Sequence, residues 1–210
     1  MKVSELFRSL QGEGVRIGVP TVFVRLAGCN LRCAWCDTPY AQAPEGEDVG
    51  IDEVLRRVQG YGCMEVCITG GEPLLQKDTL RLILRLLEMG YYVTLETNGT
   101  LSLQELPCED RLTVSMDAKC PSSGMAEKCD LSNIELLGPG DQLKCVLADE
   151  ADYAYALSIL RRYKPKCTVV MTPVGGRDLR WIADAVLRDR VQARVLPQLH
   201  KMIWEEERER

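Results

Sequence analysis

Three cysteines, Cys29, Cys33 and Cys36, fall within one eight-residue run at C-x3-C-x2-C spacing. Thiolates gathered so tightly along a chain are metal ligands first. A cubane iron–sulfur cluster takes four cysteines, and a closed structural zinc site also takes four ligands. Three ligands on one loop therefore describe an open site, in which one iron is left to bind something other than protein. The competing readings are a zinc site completed by a distant cysteine and a set of incidental thiols.

Other residues that can do chemistry are spread along the chain. Thr69-Gly70-Gly71-Glu72-Pro73 closes an apolar run with two glycines, which let a backbone approach a ligand closely; standing alone it reads as a turn. Ser115-Met116-Asp117-Ala118-Lys119 places a hydroxyl, a carboxylate and an ammonium within five residues, a set that reads as a solvated loop or as partners for a polar ligand. Ser9-Leu10-Gln11-Gly12-Glu13-Gly14 reads as a hairpin turn, or as an amide and a carboxylate presented to the donor and acceptor edge of a guanine-like ring. Arg25 offers a planar fork for a carboxylate, if it faces the ligand rather than solvent. Lys144 interrupts an apolar stretch, and Met171–Val174 ends the next one, where it can flank a ligand.

The elements that must hold these residues alternate. Short runs rich in Val, Ile and Thr predict strands over Thr21–Leu26, Glu65–Thr69, Tyr92–Glu96, Leu112–Met116, Gln142–Leu147, Thr168–Met171 and Arg194–Leu196. Amphipathic spacing predicts helices over Ile51–Val58, Asp78–Met89, Asp152–Tyr163 and Asp178–Arg188, with Asp78 as an N-cap and Gly90 as a stop. Strand–helix alternation implies an α/β fold with a largely parallel sheet. At 210 residues the chain is short of the ~250 of a complete eight-fold barrel, so an incomplete TIM-like β/α barrel is expected. Its chemistry belongs at the C-terminal ends of the strands, where the cysteine loop and the Gly-Gly motif both fall.

Composition narrows the classes. Hydrophobic residues make up 46% and charged residues 27%, which is ordinary for one globular domain spanning residues 1–210. The net charge of −5 with dispersed basic residues lacks the footprint of a nucleic-acid binder. No stretch approaches the ~20 apolar residues of a membrane span, and Met1–Leu6 lacks a signal-peptide apolar region. The expectation is a cytoplasmic enzyme with reduced thiols and a small-molecule substrate. Seven further cysteines form no second tight run; Cys67, Cys145 and Cys167 sit in strands as small hydrophobes, while Cys120 and Cys129 leave room for a second metal site. The final run from Glu205 to Arg210 reads as a solvated tail.

Taken together, Leu10–Gly14, the cysteine loop ending in Cys36-Asp37-Thr38, Thr69–Pro73, Ser115–Lys119 and Leu196-Pro197-Gln198-Leu199-His200-Lys201 resemble the 7-carboxy-7-deazaguanine synthases of the radical S-adenosylmethionine superfamily. The resemblance runs from Ser4 to Trp204. It implies a partial-barrel lyase that converts 6-carboxy-5,6,7,8-tetrahydropterin to 7-carboxy-7-deazaguanine with loss of ammonia, in biosynthesis of 7-deazapurines of the queuosine and archaeosine type. Its cofactors would be a [4Fe–4S] cluster on Cys29, Cys33 and Cys36, S-adenosylmethionine and Mg2+. By the family pattern, Leu10, Gln11, Gly12, Glu13, Arg25 and Thr69, with the N-terminal segment of about residues 1–20, hold the pterin. Trp35, Cys36, Asp37, Gly71, Ser115, Asp117 and Lys119 line the S-adenosylmethionine side, and Thr38 ligates magnesium. The Ser-Met-Asp-Ala-Lys spacing departs from relatives with a shorter Ser-Pro-Lys loop. No side chain need act as nucleophile or general base, because the cofactor performs the difficult step. The resemblance further implies a homodimer, an electron donor such as flavodoxin or ferredoxin, and neither nucleic-acid nor membrane partners. A second reading within the superfamily is an activase that makes a glycyl radical on a partner enzyme, and a third is a zinc-binding module.

Overall fold

The computed structural model describes residues 1–205 and 207–209. Its strands are β1 (Lys2–Leu10), β2 (Pro20–Leu26), β3 (Glu47–Asp48), β4 (Glu65–Gly70), β5 (Tyr92–Thr97), β6 (Leu112–Asp117), β7 (Gln142–Leu147), β8 (Thr168–Pro173) and β9 (Arg194–Val195). Its helices are α1 (Ile51–Gly60), α2 (Thr79–Glu88), α3 (Glu150–Tyr163), α4 (Arg180–Asp189) and α5 (Leu199–Ile203). The strands form one sheet in the order β3-β1-β2-β4-β5-β6-β7-β8-β9. From β2 to β9 every neighbouring pair is parallel; the antiparallel pairs are β1–β2 and β1–β3, so β1 alone runs against the other strands. This is the incomplete β/α barrel expected from the strand–helix alternation.

Period-two alternation sorts each strand into a helix-facing and a barrel-facing set. Val22, Val24, Val66, Ile68, Val93, Leu95, Leu143 and Leu147 belong to the main core, packed with Val54, Leu55 and Val58 of α1 and Leu82, Ile83 and Leu86 of α2. The opposite set carries polar groups: Arg25 on β2, Thr69 on β4, Glu96 on β5, Asp117 on β6 and Lys144 on β7 all face one cavity. A small second cluster of Phe7, Phe23 and Cys67 fills the barrel interior, with the two rings stacked at 5.1 Å.

Several elements differ from the sequence reading. Strand β1 was not foreseen, because its barrel-facing side carries the buried Glu5 where an apolar residue would complete the pattern. The Ser9–Gly14 segment is the start of the hairpin between β1 and β2, closed by Gln11 N to Val19 O at 2.8 Å and Gly18 N to Gln11 O at 2.7 Å. Asp78 precedes α2 but makes no side-chain cap, whereas Asp149 caps α3 by accepting from Asp152 N at 2.9 Å. Gly90 ends the helix segment at φ 91°, a conformation glycine adopts without cost. Among the described residues no helix is long and apolar enough to cross a membrane.

Between β1 and β9 the sheet stays open, and isolated hydrogen bonds rather than a strand ladder span the gap. Leu199 N donates to Gly12 O at 2.8 Å, and Gln198 Nε2 donates to Glu13 Oε1 at 2.8 Å. The hairpin head is thereby tied to the C-terminal segment. A Cβ on Gly12 would stand 2.1 Å from His200 Nδ1, so any larger residue there would force the imidazole aside.

Candidate active site

The cysteine loop leaves β2 at Ala27 and folds back over the C-terminal ends of the parallel strands. Its root is held by Gly28 N to Ala41 O at 2.9 Å and by Glu72 N to Gly28 O at 2.8 Å. The Gly70-Gly71 pair makes this approach possible: a Cβ on Gly70 would lie 2.0 Å from Leu26 O, and one on Gly71 would lie 2.2 Å from Gly28 O. Glu72, fully buried, then links two loops by accepting from Leu74 N (3.0 Å), Asn98 N (2.6 Å) and Thr97 Oγ1 (3.0 Å). Burial pushes its carboxyl up, against those donors. Asn98 carries the link onward to the cysteine loop through Asn30 Oδ1 at 2.9 Å, and its Nδ2 lies 3.9 Å from Cys29 Sγ. On the far side Trp35 Nε1 donates to Ser122 Oγ at 3.0 Å, and Ala34 N to Ser123 O at 3.0 Å.

Cys29, Cys33 and Cys36 open into one cavity of about 260 Å³ at this end of the barrel. They are half-buried and none is in a disulfide. Burial raises the Cys33 thiol, Lys119 opposes this, and the neighbouring Cys36 and Cys29 raise it further. Repulsion among three adjoining thiolates is what a cationic iron cluster relieves. Their spread matters too. Among the described residues the one trio of Cys, His or carboxylate ligand atoms gathered within 4.8 Å is Glu13, Asp37 and His200. The three thiols are therefore wider apart than one zinc ion requires, since Zn–S bonds of about 2.3 Å put tetrahedral sulfurs about 3.8 Å apart. A cubane places each thiolate on its own iron and so does not require them gathered about a single ion.

The same cavity is lined by Leu10, Gln11, Gly12, Glu13, Arg25 and Thr69, and by Trp35, Asp37, Thr38, Gly71, Asp117 and Lys119. Ser115 is not on its wall: it is buried behind it, accepting from Gln142 Nε2 at 2.6 Å. Glu5 holds Arg25 through Nε at 2.8 Å and also accepts from Tyr40 Oη at 3.0 Å. Thr69 Oγ1 donates to Glu96 Oε2 at 3.0 Å, and Gln11 Nε2 lies 3.4 Å from Glu96 Oε1. Lys144 Nζ sits 2.6 Å from Glu13 Oε2 and 3.2 Å from Asp117 Oδ1, while Lys119 Nζ takes the other Asp117 oxygen at 2.6 Å. Burial opposes ionisation of Glu13, yet Lys144 and its other polar neighbours hold its pKa down to about 2. Glu96 goes the other way: burial raises it, Lys144 opposes, and the Glu13 and Asp117 carboxylates add to the rise.

The Radical SAM superfamily model matches residues 23–121. A 7-carboxy-7-deazaguanine synthase of Thermoplasma acidophilum is 39% identical over 97% of this chain and 97% of its own length. One from Methanospirillum hungatei is 42% identical over 97% of this chain and 85% of its own. The chain belongs to the 7-carboxy-7-deazaguanine synthase family. The crystal structure of QueE from Escherichia coli superposes with a TM-score of 0.78, at 24% identity over 95% of this chain and 94% of that one, and so shares the fold. Membership of this family makes the chain a radical S-adenosylmethionine enzyme, with a [4Fe–4S] cluster and S-adenosylmethionine as cofactors.

Sequence reasoning missed four contributors. Glu96, Lys144 and His200 carry no assigned role in the sequence reading, and the tail reads there as solvated. Instead Glu205, Glu207, Arg208 and Glu209 reach the cavity rim. Arg208 Nε and Nη2 donate to Glu5 Oε1 at 2.9 and 2.6 Å, and its guanidinium lies 4.0 Å above the Tyr40 ring. A charge run carries no signal of a buried partner such as Glu5, so the contact was not legible. Cys129 is engaged by backbone, accepting from Lys119 N at 3.4 Å and donating to Asn98 O at 3.4 Å.

Proposed function

We infer that this chain converts 6-carboxy-5,6,7,8-tetrahydropterin to 7-carboxy-7-deazaguanine and ammonia, with the pterin held in the barrel cavity beneath the cysteine loop. The observation that carries the reading is that the three thiols and the Leu10–Glu13, Arg25 and Thr69 set line one cavity. Arg25 receives the substrate carboxylate; Glu5 holds its Nε edge and orients the guanidinium over the Phe7 ring at 5.8 Å. Gln11, Glu13 and Thr69 meet the donor and acceptor edge of the pterin. Asp117, Lys119, Trp35, Cys36, Asp37 and Gly71 hold S-adenosylmethionine, with Ser115 supporting them from behind the wall through Gln142. Bound, the cluster and S-adenosylmethionine supply reductive sulfonium cleavage and reversible removal of a hydrogen atom from C6 of the ring. The chain's own work is to fix the ring's orientation and exclude water.

Thr38, whose Oγ1 is 4.0 Å from Cys36 Sγ on the cavity wall, supplies an oxygen ligand for Mg2+, a hard cation that keeps waters and substrate oxygens around it. The electron donor is a flavodoxin- or ferredoxin-class protein, the assembly a homodimer and the compartment the reducing cytoplasm; free thiols support the last. Family membership favours the lyase over the activase. The test is anaerobic incubation of the cluster-loaded protein with S-adenosylmethionine, reductant and the carboxytetrahydropterin, followed by mass spectrometry. Formation of 7-carboxy-7-deazaguanine is expected; cleaved S-adenosylmethionine with intact pterin overturns the assignment.

A further inference from the structure

Strand β7 is buried along its whole length, and Lys144 is its one charged residue. Its side chain, 9% exposed, enters the barrel among carboxylates from three other elements: Glu13 of the hairpin head, Asp117 of β6 and Glu96 of β5. The contacts are unequal. Lys144 Nζ donates to Glu13 Oε2 at 2.6 Å. It also stands 3.2 Å from Asp117 Oδ1, but that buried oxygen accepts no hydrogen bond. The other Asp117 oxygen is taken by Lys119 Nζ at 2.6 Å, and Lys119 lies 5.6 Å from the Trp35 ring centroid. A continuous polar chain thus runs from Gln198 through Glu13, Lys144, Asp117 and Lys119 to the cysteine loop.

We propose that Lys144 is a positioning residue that couples the two ligand subsites, so that seating the pterin tightens S-adenosylmethionine and the reverse. The proposal rests on the reading above, in which Glu13 faces the substrate and Asp117 the cofactor. A pterin N–H or amino group placed on Glu13 competes with Lys144 for the same carboxylate. The ammonium, on a flexible four-carbon stem, then turns toward the waiting Asp117 Oδ1. That second bond fixes the Asp117 carboxylate, and with it the Lys119 ammonium, in the orientation the cofactor needs. Linkage requires the effect to be equal in both directions.

The experiment is equilibrium dialysis of S-adenosylmethionine against anaerobic, cluster-loaded protein without reductant, with and without saturating 6-carboxytetrahydropterin, for wild type, Lys144→Met and Lys144→Arg. Wild type is expected to bind S-adenosylmethionine at least about 5-fold tighter with pterin present, the lower end of ordinary coupling. Lys144→Met should bring that ratio to within about twofold of unity, and Lys144→Arg should restore part of it, an ordering that simple loss of stability does not produce. If Lys144→Met fails to fold, as judged by circular dichroism, Lys144→Gln replaces it with the same expectation. Wild-type coupling in a folded variant without the ammonium overturns the relay alone. Failure of wild type to bind pterin overturns the proposed function, and the relay with it.

Discussion

Glu5→Gln tests whether Arg25 is positioned or merely present. In the native protein each Glu5 oxygen serves different donors: Oε2 takes Arg25 Nε at 2.8 Å and Tyr40 Oη at 3.0 Å, while Oε1 takes Arg208 at 2.6 and 2.9 Å. A glutamine has one acceptor atom, so it must turn its NH2 toward one of these sets. The cheaper choice keeps the oxygen on Arg25, whose side chain is 15% exposed, and releases Arg208, which is 59% exposed. Replacing the carboxylate acceptor on the Arg25 guanidinium by a neutral amide oxygen costs about 1–2 kcal/mol. At about 2–4 °C per kcal/mol for a chain of this size, the melting temperature should fall by roughly 2–8 °C. Burial opposes ionisation of Glu5, but Arg208 and Arg25 lower its pKa below the ordinary 4.5. Its contribution is therefore complete above that value and is lost as pH falls below it, so the gap between wild type and variant should narrow toward acid. The functional consequence is a slackened Arg25: the pterin KM should rise about 10-fold, equivalent to ~1.4 kcal/mol, while S-adenosylmethionine affinity stays within about twofold. Anaerobic thermal melts and steady-state kinetics with varied pterin measure both. A variant with the wild-type KM and melting temperature would refute the positioning role of Glu5.

Arg25→Lys keeps the charge but loses the fork, so pterin affinity should fall by about 1–3 kcal/mol, read from binding titrations; unchanged affinity contradicts the assignment. Cys29→Ala, Cys33→Ala and Cys36→Ala should each abolish cluster assembly, whereas Cys67→Ala, in the buried Phe7–Phe23 cluster, should assemble it fully; iron and sulfide analysis after anaerobic reconstitution decides. Thr38→Ala should assemble the cluster and still cleave S-adenosylmethionine at a basal rate, with product formation lowered and partly restored by higher magnesium, and Thr38→Ser should be close to wild type. Superimposable magnesium curves for wild type and Thr38→Ala would exclude the ligand role.

What the sequence revealed and what it hid follow one physical rule. The parallel strands are sandwiched between helices and barrel interior, so their apolar runs stand out: Gln142–Leu147 was located to the residue, and Glu65–Thr69 and Tyr92–Glu96 to within one. Tight local motifs were legible for a similar reason, since Cys29–Cys36 and Gly70-Gly71 act within a few residues of backbone. Partners distant along the chain were not. Glu5 meets Arg25 twenty residues away and Arg208 at the other end of the molecule, and nothing near Glu5 signals either. Lys144 broke an apolar pattern, but its reason lies in Glu13 and Asp117, on other strands and loops. The burial of Ser115 depends on Gln142 of the neighbouring strand, and no local spacing announces that bond.

A lyase that reuses its adenosyl cofactor is tested most directly by the ratio of ammonia released to S-adenosylmethionine consumed during anaerobic turnover of the carboxytetrahydropterin. A ratio well above one, with ammonia matching 7-carboxy-7-deazaguanine and absent when pterin, reductant or cluster is withheld, is predicted. A ratio at or below one, or S-adenosylmethionine cleavage without ammonia, would contradict it.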